Sequence, residues 1–426
     1  MDKRTIVNHR GFMPDHSFNF VADIPTVFHC HHFNLFWDQT IDDALGAELG
    51  AAIRTHAARE SYYDLMAGLA ARLRIDGTDD MFTLAMSVLH LGGLGSLAID
   101  ADPNGGEIVG EHLHHATAWN TKYARVGRRH PADAVTAGFA AATIELAHRA
   151  ARDSVRCREV ECAAMNGPRC VFVAEPAEPG PLAGPMTRSQ ITSTADGRLR
   201  GLFESDITPI LATLRQMTSN LVGDERGRID AFGLSMSELP TTYYSRAGYD
   251  GLRHLSRTAP QSIPVMHALL REAGHVGIFH TLGAIMASSE WDALVGRPSG
   301  DPEETVASCV AIARALGMGH WTVAEFEPGQ RLVLRTPATY EAIYYVNREG
   351  RATEPQCFSY QGAAVAVMQL VARVDWRTRP HFEQRLYARL FEDGSTWKCT
   401  ETQCIARGDP YCEVVVNRRN PSSSFI

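Results

Sequence analysis

Residues 157–170 read CREVECAAMNGPRC, and residues 399–412 read CTETQCIARGDPYC. Both stretches follow one frame: a Cys, one residue, Glu, two residues, Cys, seven residues and a final Cys. Six of the nine cysteines of the chain lie in these two frames. Thiols interleaved with a carboxylate are typical of metal ligands in a reducing compartment, where disulfides are rare. The repeated frame therefore predicts a duplicated chain with a metal site in each copy.

The composition predicts an ordinary globular protein of two or three domains. The chain has 426 residues, of which 45% are hydrophobic and 21% are charged. Its formal net charge of −8 argues against a nucleic-acid partner, because such proteins usually carry a basic face. No apolar run approaches the roughly 20 residues that span a bilayer, and the first residues do not read as a signal peptide. We therefore expect a cytoplasmic protein without a membrane partner.

The repeat extends beyond the cysteines. Matching positions 224 residues apart are Gly93 and Gly317, Gly95 and Gly319, Asp133 and Cys357, and Gly138 and Gly362. The stretch SYYDLMAGL, from Ser61, also resembles SEWDALVGR, from Ser289. The cysteine frames are 242 residues apart, so the second copy carries about 18 extra residues within or around RVDWRTRPHFEQRLYARL. A long repeat of this kind indicates two domains of the same fold.

Each copy has the same coarse pattern, which predicts an α+β fold. Two helical segments come first, and the second ends at glycines. Two strands joined by a turn follow, then a helix that leads into the strand with the cysteine frame. Residues 174–197 are rich in Pro, Gly, Ser and Thr and read as a linker. We predict two helix-plus-antiparallel-sheet domains, 1–175 and 200–426, joined by a linker at 176–199 and forming an intramolecular pseudo-dimer.

The thiol frames supply three of the four ligands that a tetrahedral zinc site needs. In the second copy these are Glu401, Cys404 and Cys412, and Cys357, on the preceding helix, is the predicted fourth ligand. In the first copy they are Glu159, Cys162 and Cys170. There Asp133 stands in the place of Cys357, and either Asp133 or Cys157 completes the site. Because Asp is a harder ligand than Cys, we expect the first site to be the weaker one.

The order of these features resembles the 4-vinyl-reductase domain. The glycine pair, the strand–turn–strand, the Cys-x-x-x-x-Gly helix and the Glu-x-x-Cys frame with a Cys eight residues on all carry the resemblance. The family includes proteins named for bacteriochlorophyll vinyl reduction and the ligand-sensing regions of phenol- and xylene-responsive activators. The resemblance implies an α+β domain that often dimerises. It also implies zinc beside a small aromatic-binding pocket, held at positions that match Cys357, Glu401, Cys404 and Cys412.

Some properties of the family are not carried over to this chain. The first copy matches at Glu159, Cys162 and Cys170, but Asp133 replaces the family's cysteine. No ATPase module and no DNA-binding helix pair are recognisable, so a role as a transcription factor is not carried over. Vinyl reduction is a family label that no residue of this chain requires.

Histidines distinguish the two copies, because twelve of the eighteen lie between residues 9 and 148. One cluster, FHCHHFN, contains His29, His31 and His32, and the other, GEHLHHATAW, contains His112, His114 and His115. On a strand, His112 and His114 would share a face. His56 and Glu60 are four residues apart on a predicted helix and would also be neighbours.

Three interpretations of the histidines stay open. In one, they form a metal site with an open position for iron, copper or zinc, and His31, His32, His112 and His115 act in catalysis. In another, they line a metal-free ligand pocket. The predicted residues of that pocket are His29, Phe33, Trp37, His56, His114 and Trp119. In the third, they have no shared role.

We predict a zinc-stabilised protein that binds a small, largely apolar or aromatic molecule and carries one or two zinc ions. The pocket is expected in the first copy, between its early helices and its sheet, with the second copy as a structural partner. The alternative is a metalloenzyme, an oxidoreductase that acts on a small metabolite at an iron or copper site in the first copy. An interaction protein is a third class. The sequence decides neither whether the chain is an enzyme nor whether it also forms a homodimer.

Overall fold

The computed structural model describes residues 6–123, 126–180, 184–194, 199–391 and 396–419. It has mixed helix and sheet, and its strands pair antiparallel throughout the described part of the chain. The predicted α+β class is confirmed. Among the described residues, no helix combines the length and the apolar content that crossing a membrane requires.

The first half begins with three strands and a helix that the sequence pattern does not predict, and the elements after them follow the predicted order with one additional helix. In chain order, the strands and helices are β1 (Arg10–Met13), β2 (Phe18–Val21), β3 (Ile24–Cys30), α1 (His31–Leu45), α2 (Ala47–Leu73), α3 (Thr78–Leu91), β4 (Ser96–Asp102), β5 (Gly105–Glu111), α4 (His114–Tyr123), α5 (Ala134–Ala147), β6 (Val155–Glu161) and β7 (Cys170–Pro176). A short helix, α6 (Arg188–Thr194), follows. A 3-10 turn, Ala163–Met165, joins β6 to β7.

The second half has a related order of elements, with three additional helices and without a counterpart of β1. Its strands and helices are α7 (Glu204–Thr218), β8 (Ile229–Ala231), β9 (Leu234–Pro240), α8 (Thr241–Thr258), α9 (Ile263–Ala287), α10 (Ser289–Leu294), α11 (Pro302–Leu316), β10 (Thr322–Glu327), β11 (Arg331–Thr336), α12 (Tyr340–Glu349), α13 (Phe358–Arg373), α14 (Gln384–Phe391), β12 (Trp397–Gln403) and β13 (Cys412–Arg418). The additional helices are α7, α10 and α14, and α14 lies in the segment between α13 and β12. This segment is where the sequence predicts the extra residues of the second copy.

Three sheets organise the molecule. The orders β4-β5-β7-β6 and β10-β11-β13-β12 are the same arrangement in the two halves. The third sheet, β1-β2-β3-β9-β8, takes strands from both halves, and β3 pairs antiparallel with β9, with Phe28 opposite Glu238. Backbone hydrogen bonds therefore join the two halves at their centre, so neither half stands apart from the other.

One helix crossing is shared by the halves, and a glycine makes it possible. A Cβ added to Gly138 on α5 would lie 2.2 Å from the Thr55 carbonyl oxygen on α2, and one added to Gly362 on α13 would lie 1.9 Å from the Arg271 carbonyl oxygen on α9. Only glycine allows two helix backbones to approach this closely. The two contacts make Thr55 and Arg271 equivalent positions.

That equivalence overturns the predicted match between the stretches at Ser61 and Ser289. Ser61 lies in the middle of α2, whose counterpart is α9. Ser289 begins a separate six-residue helix, α10, because the Ser288 hydroxyl accepts a hydrogen bond from the Trp291 amide and caps a new helix there.

Part of the predicted linker packs against the folded halves. Met186 and Ile191 are buried, and the Arg188 amide donates to the Asp23 carbonyl oxygen at 3.0 Å. The Pro- and Gly-rich composition predicts a loose spacer, but these two apolar side chains give it a place to dock. Residues 181–183 and 195–198 of the linker lie outside the described residues.

Candidate functional site

The four predicted ligands of the second half meet in one buried group. Cys357 precedes α13, Glu401 lies on β12, Cys404 directly follows that strand, and Cys412 begins β13. One ligand atom from each lies within 4.8 Å of all the others. The Cys357 sulfur is 3.5 Å from that of Cys412 and 3.8 Å from that of Cys404. Gly408, with φ +88°, closes the turn that brings the last two cysteines together.

One oxygen of Glu401 is fixed by hydrogen bonds and the other is not. Its Oε2 accepts from the Cys357 amide at 3.0 Å and from the Gln361 side-chain amide at 3.2 Å. Its Oε1 is buried and has no hydrogen-bond partner. A buried carboxylate oxygen without a donor is costly, so this atom needs a positive partner.

The first half repeats this arrangement with one donor exchanged. Asp133, Glu159, Cys162 and Cys170 form the second group of mutually close ligand atoms. The Asp133 amide donates to Glu159 Oε2 at 2.8 Å, as the Cys357 amide does to Glu401. Glu159 Oε1 and Asp133 Oδ1 are both buried without a hydrogen-bond partner. The group includes Asp133, and Cys157, the alternative ligand, lies outside it.

Burial makes it unfavourable for the carboxylates and thiols of either group to ionise without a positive charge nearby. It raises the pKa of Glu401 and that of Glu159 to about 9, and it raises the pKa of Cys357 and of Cys412 well above the usual thiol value. Of the three thiols in the second group, only Cys404 has a lowered pKa, because the thiols of Cys357 and Cys412 donate towards its sulfur. A bound cation would let the remaining donors ionise. Both groups are thus suited to hold a metal ion.

The histidines lie at the starts of two helices. His29 is the last residue but one of β3, while His31 and His32 open α1. The prediction that His112 and His114 share a strand face is wrong. Strand β5 ends at Glu111, His112 takes a left-handed conformation with φ +54°, and His114 and His115 already belong to α4.

These histidines occupy several environments. Within the described residues, none of them belongs to either group of mutually close metal-ligand atoms. The ring of His32 lies between those of His31 and His280, with centroids 4.1 and 4.4 Å away. Burial is the main cause that lowers the pKa of His31 to about 4 and that of His280 to about 3, so these rings are neutral.

The other predicted site residues also lie apart from one another. His114 Nε2 lies 2.9 Å from the side-chain nitrogen of Asn34, and the ring of His115 lies 3.8 Å from Asp133 and 3.9 Å from Asp38. His56 contacts Arg59 and Arg246 in an ion-pair network around Glu60. Trp119 is half-exposed and donates its indole hydrogen to the Val126 carbonyl oxygen. The predicted pocket of His29, Phe33, Trp37, His56, His114 and Trp119 is therefore not one pocket.

An enclosed cavity lies where the halves meet, and it contains two of those six residues. It has a free volume of about 20 Å³, and His29 and Phe33 line it from the first half. The rest of its wall comes from the second half: Ile278, Met318, Trp321, Thr339, Tyr340, Glu341, Ser359, Tyr360 and Ala363. Trp37 stacks behind Phe33, with ring centroids 6.0 Å apart. The cavity is therefore not between the early helices and the sheet of the first half, where the sequence predicts it.

Three polar side chains of this cavity have no hydrogen-bond partner. Both ring nitrogens of His29 are buried without one, and so are the hydroxyls of Ser359 and Tyr360. Burial lowers the pKa of His29 to about 3, which keeps its ring neutral, and the ring stacks on Phe33 at 3.7 Å. Glu341 differs, because it accepts from the Ser359 and Tyr360 amides. A polar group on a bound molecule is the missing partner that this lining could use.

The corresponding place in the first half is filled. Tyr62 and Phe139, at the positions of Ile278 and Ala363, pack edge to face with ring centroids 5.0 Å apart. Both rings are buried. The clustered histidines favour a pocket in the first half. The free space lies in the second half instead, because the two corresponding residues on its helices have smaller side chains.

Comparisons with known proteins give little sequence similarity. No family model matches the chain. No curated protein sequence is significantly similar to it. Among solved structures, the chain is similar to the phenol-responsive sensory domain of the transcription activator PoxR, in a crystal structure with phenol, at 15% identity and a TM-score of 0.34. This match covers 41% of the chain and 88% of the sensory domain, and a TM-score this low establishes neither family nor function.

Proposed function

We propose that the protein is a zinc-stabilised binding protein for a small aromatic molecule that carries one polar group. The observation that carries this proposal is His29, whose two ring nitrogens are buried without a partner in the wall of an enclosed cavity that Phe33, Trp321, Tyr340 and Tyr360 also line. A hydroxyl on the bound molecule would pair with His29 or with the hydroxyl of Tyr360. Because these groups are neutral, a neutral ligand is favoured over an ion, whose burial would be costly.

The cavity has to widen when a ring enters. Its free volume of about 20 Å³ suits a single water molecule. Met318 is the softest side chain in the wall, since a thioether chain rotates more readily than the aromatic rings around it. We therefore expect ligand binding to be accompanied by a rotation of Met318.

The proposed zinc ions are structural. Three thiols and a carboxylate without an open position are a donor set that zinc favours. The second site ties the start of α13 to β12 and β13, and α13 supplies Ser359, Tyr360 and Ala363 to the cavity wall. Zinc in this place holds that wall in position. The first site, with two carboxylates and two thiols, has the same role with lower affinity.

The two halves, 1–175 and 200–426, are proposed to form an intramolecular pseudo-dimer. Support comes from the identical order of their four-stranded sheets and from the antiparallel pairing of β3 with β9. In this arrangement, His29 of one half completes a cavity of the other. Fusion of the halves guarantees that both parts of the cavity are present in one chain.

Phenol binding tests the proposal. Titration of the purified protein with phenol, followed by calorimetry and ligand-observed NMR, should reveal one site per chain. His29→Phe retains the stacking on Phe33 but removes the ring nitrogens, so the Kd should rise about tenfold or more. His280→Phe changes a buried histidine outside the cavity and is the control. Equal phenol binding by the wild type and the His29→Phe variant would refute the proposed site.

A further inference from the structure

A second, open cleft lies wholly in the second half, and we propose that it binds an aromatic carboxylate of more than one ring. Its volume is about 780 Å³, within the range of ligand sites in proteins. Its walls come from α9, α13, α14 and the start of β12. It shares no lining residue with the enclosed cavity, so the two sites are separate.

Aromatic rings form two walls of this cleft. His267 stacks on Phe358 with ring centroids 4.2 Å apart, and Tyr387 stacks on Phe391 with centroids 4.3 Å apart. The Tyr387 hydroxyl lies 3.2 Å from His275 Nδ1, and the opposite ring nitrogen of His275 lies 2.6 Å from the Gln369 side-chain oxygen. These contacts hold Tyr387 in a fixed orientation. Flat rings on two sides favour a flat ligand.

Arg271 supplies the positive charge. It is half-buried in the cleft, and among the described residues no carboxylate forms an ion pair with it. Burial lowers the pKa of its guanidinium, which indicates that the charge is not fully solvated. The other charged lining groups are Glu272, Glu354, Lys398 and Arg419, which are exposed, and Glu401, which is buried in the second group of proposed metal ligands. A carboxylate between the aromatic walls would therefore pair with Arg271, because a guanidinium can donate two parallel hydrogen bonds to a carboxylate.

In the described residues of the first half, two differences alter the place that corresponds to this cleft. Arg59, at the position of His275, forms ion pairs with Glu60 and Asp153, so charged side chains occupy the equivalent place. The first half also has no counterpart of α14, because β6 begins soon after α5 ends. The segment inserted into the second half brings Tyr387 and Phe391, and with them one wall of the cleft.

Titration with 2-naphthoate tests this site directly. Trp397 lies in the wall, so binding should quench tryptophan fluorescence, and Trp397→Phe should remove most of the signal without removing binding measured by calorimetry. The uncharged analogue 2-naphthamide should bind about tenfold more weakly, because it forms no charged pair with Arg271.

Variants distinguish the charge of Arg271 from the aromatic walls. Arg271→Gln should weaken 2-naphthoate binding about tenfold but leave 2-naphthamide binding unchanged. Arg257→Gln, an exposed arginine on α8, is the matched control. Tyr387→Ala should weaken both probes. His29→Phe should leave both unaffected, so a failure here is independent of the phenol site. Absence of 2-naphthoate binding, or equal affinity in the wild type and both cleft variants, would overturn the proposal.

Discussion

The two halves of this molecule share a strand order and a thiol frame, but they differ in how completely side chains fill their interiors. At the shared helix crossing, the first half has Tyr62 and Phe139 where the second has Ile278 and Ala363. Two aromatic rings occupy one interior, and smaller side chains leave free space in the other. The same backbone plan is therefore compatible with a solid core and with a cavity, and side-chain size at two positions makes the difference.

The metal groups differ by a single donor. The second half offers three thiols and a carboxylate, and the first offers two of each. Thiolates are softer ligands and suit zinc better than carboxylates do. The half with the cavity thus has the stronger donor set, and its metal group adjoins the helix that forms the cavity wall.

The largest expected effect comes from breaking the second metal group. Cys404→Ser should remove one metal ion per chain and lower the free energy of unfolding by on the order of 4 kcal/mol, because a structural metal contributes directly to folding. Cys162→Ser should lower it by about half as much, since two carboxylates and two thiols are expected to bind zinc more weakly than the second group does. Elemental analysis and urea denaturation would measure both changes.

Cys399→Ser and Cys157→Ser are matched controls on the same two strands. Both cysteines lie outside the groups of ligand atoms. Their substitution should leave about two zinc ions per chain. Loss of metal from Cys399→Ser, or full metal content in Cys404→Ser, would show that the second group is not the site. One zinc ion per chain in the wild type would show that Asp133 disables the first.

Exchanging the side chains at the two matching interior positions should have the next largest effect on the free energy of unfolding. Phe139→Ala removes a fully buried ring and should lower the free energy of unfolding by about 3–5 kcal/mol. Ala363→Phe places that ring in the second half and should lower it by about 1–3 kcal/mol through overpacking. Urea denaturation would give both values.

Ligand binding gives this exchange a second readout. A folded Ala363→Phe variant should no longer bind phenol, because the ring occupies the cavity. Phe139→Ala should keep phenol binding in the second half and gain weak binding of benzene in the first. Phenol binding by Ala363→Phe with wild-type affinity would locate the ligand elsewhere.

The repeat determines how much of the molecule the sequence could predict. The ligands of each metal group lie in one short frame or at the shared 224-residue offset, so aligning the two copies is enough to group them. Much of the element order from α2 onwards follows from the same repeat and from local helix and strand patterns, whereas β1, β2 and β3 are not predicted. The backbone turn at His112 has no such local signal, and the predicted strand therefore continues too far.

The cavity depends on information that is not local. Ile278 and Ala363 lie on different helices, His29 lies in the other half, and only the folded chain brings them together. Counting histidines points to the first half because imidazoles suggest chemistry. Several buried histidines, such as His29, His31 and His32, instead act as flat, neutral rings in the packed interior, as the stacking of His29 on Phe33 illustrates.

The smallest expected effect is on the pH dependence of stability, which sharpens this view of the histidines. Burial lowers the pKa of His29 to about 3 in the folded protein, whereas a histidine in an unfolded chain titrates near 6.5. Between these values the unfolded state binds a proton that the folded state does not. Stability should therefore fall as the pH falls from 6.5 towards 3, by up to about 1.4 kcal/mol per pH unit for this residue.

His29→Phe should reduce this slope, because the phenyl ring takes up no proton. Between pH 6.5 and 5.5, the free energy of unfolding should fall by about 1 kcal/mol less in the variant than in the wild type. His381→Phe, at an exposed position, is the control. Release of metal at low pH destabilises all three proteins alike, so the difference between them isolates His29. Parallel stability curves for the wild type and His29→Phe would mean that the ring of His29 becomes protonated in the folded state. His29 would then not be a neutral partner for a ligand hydroxyl.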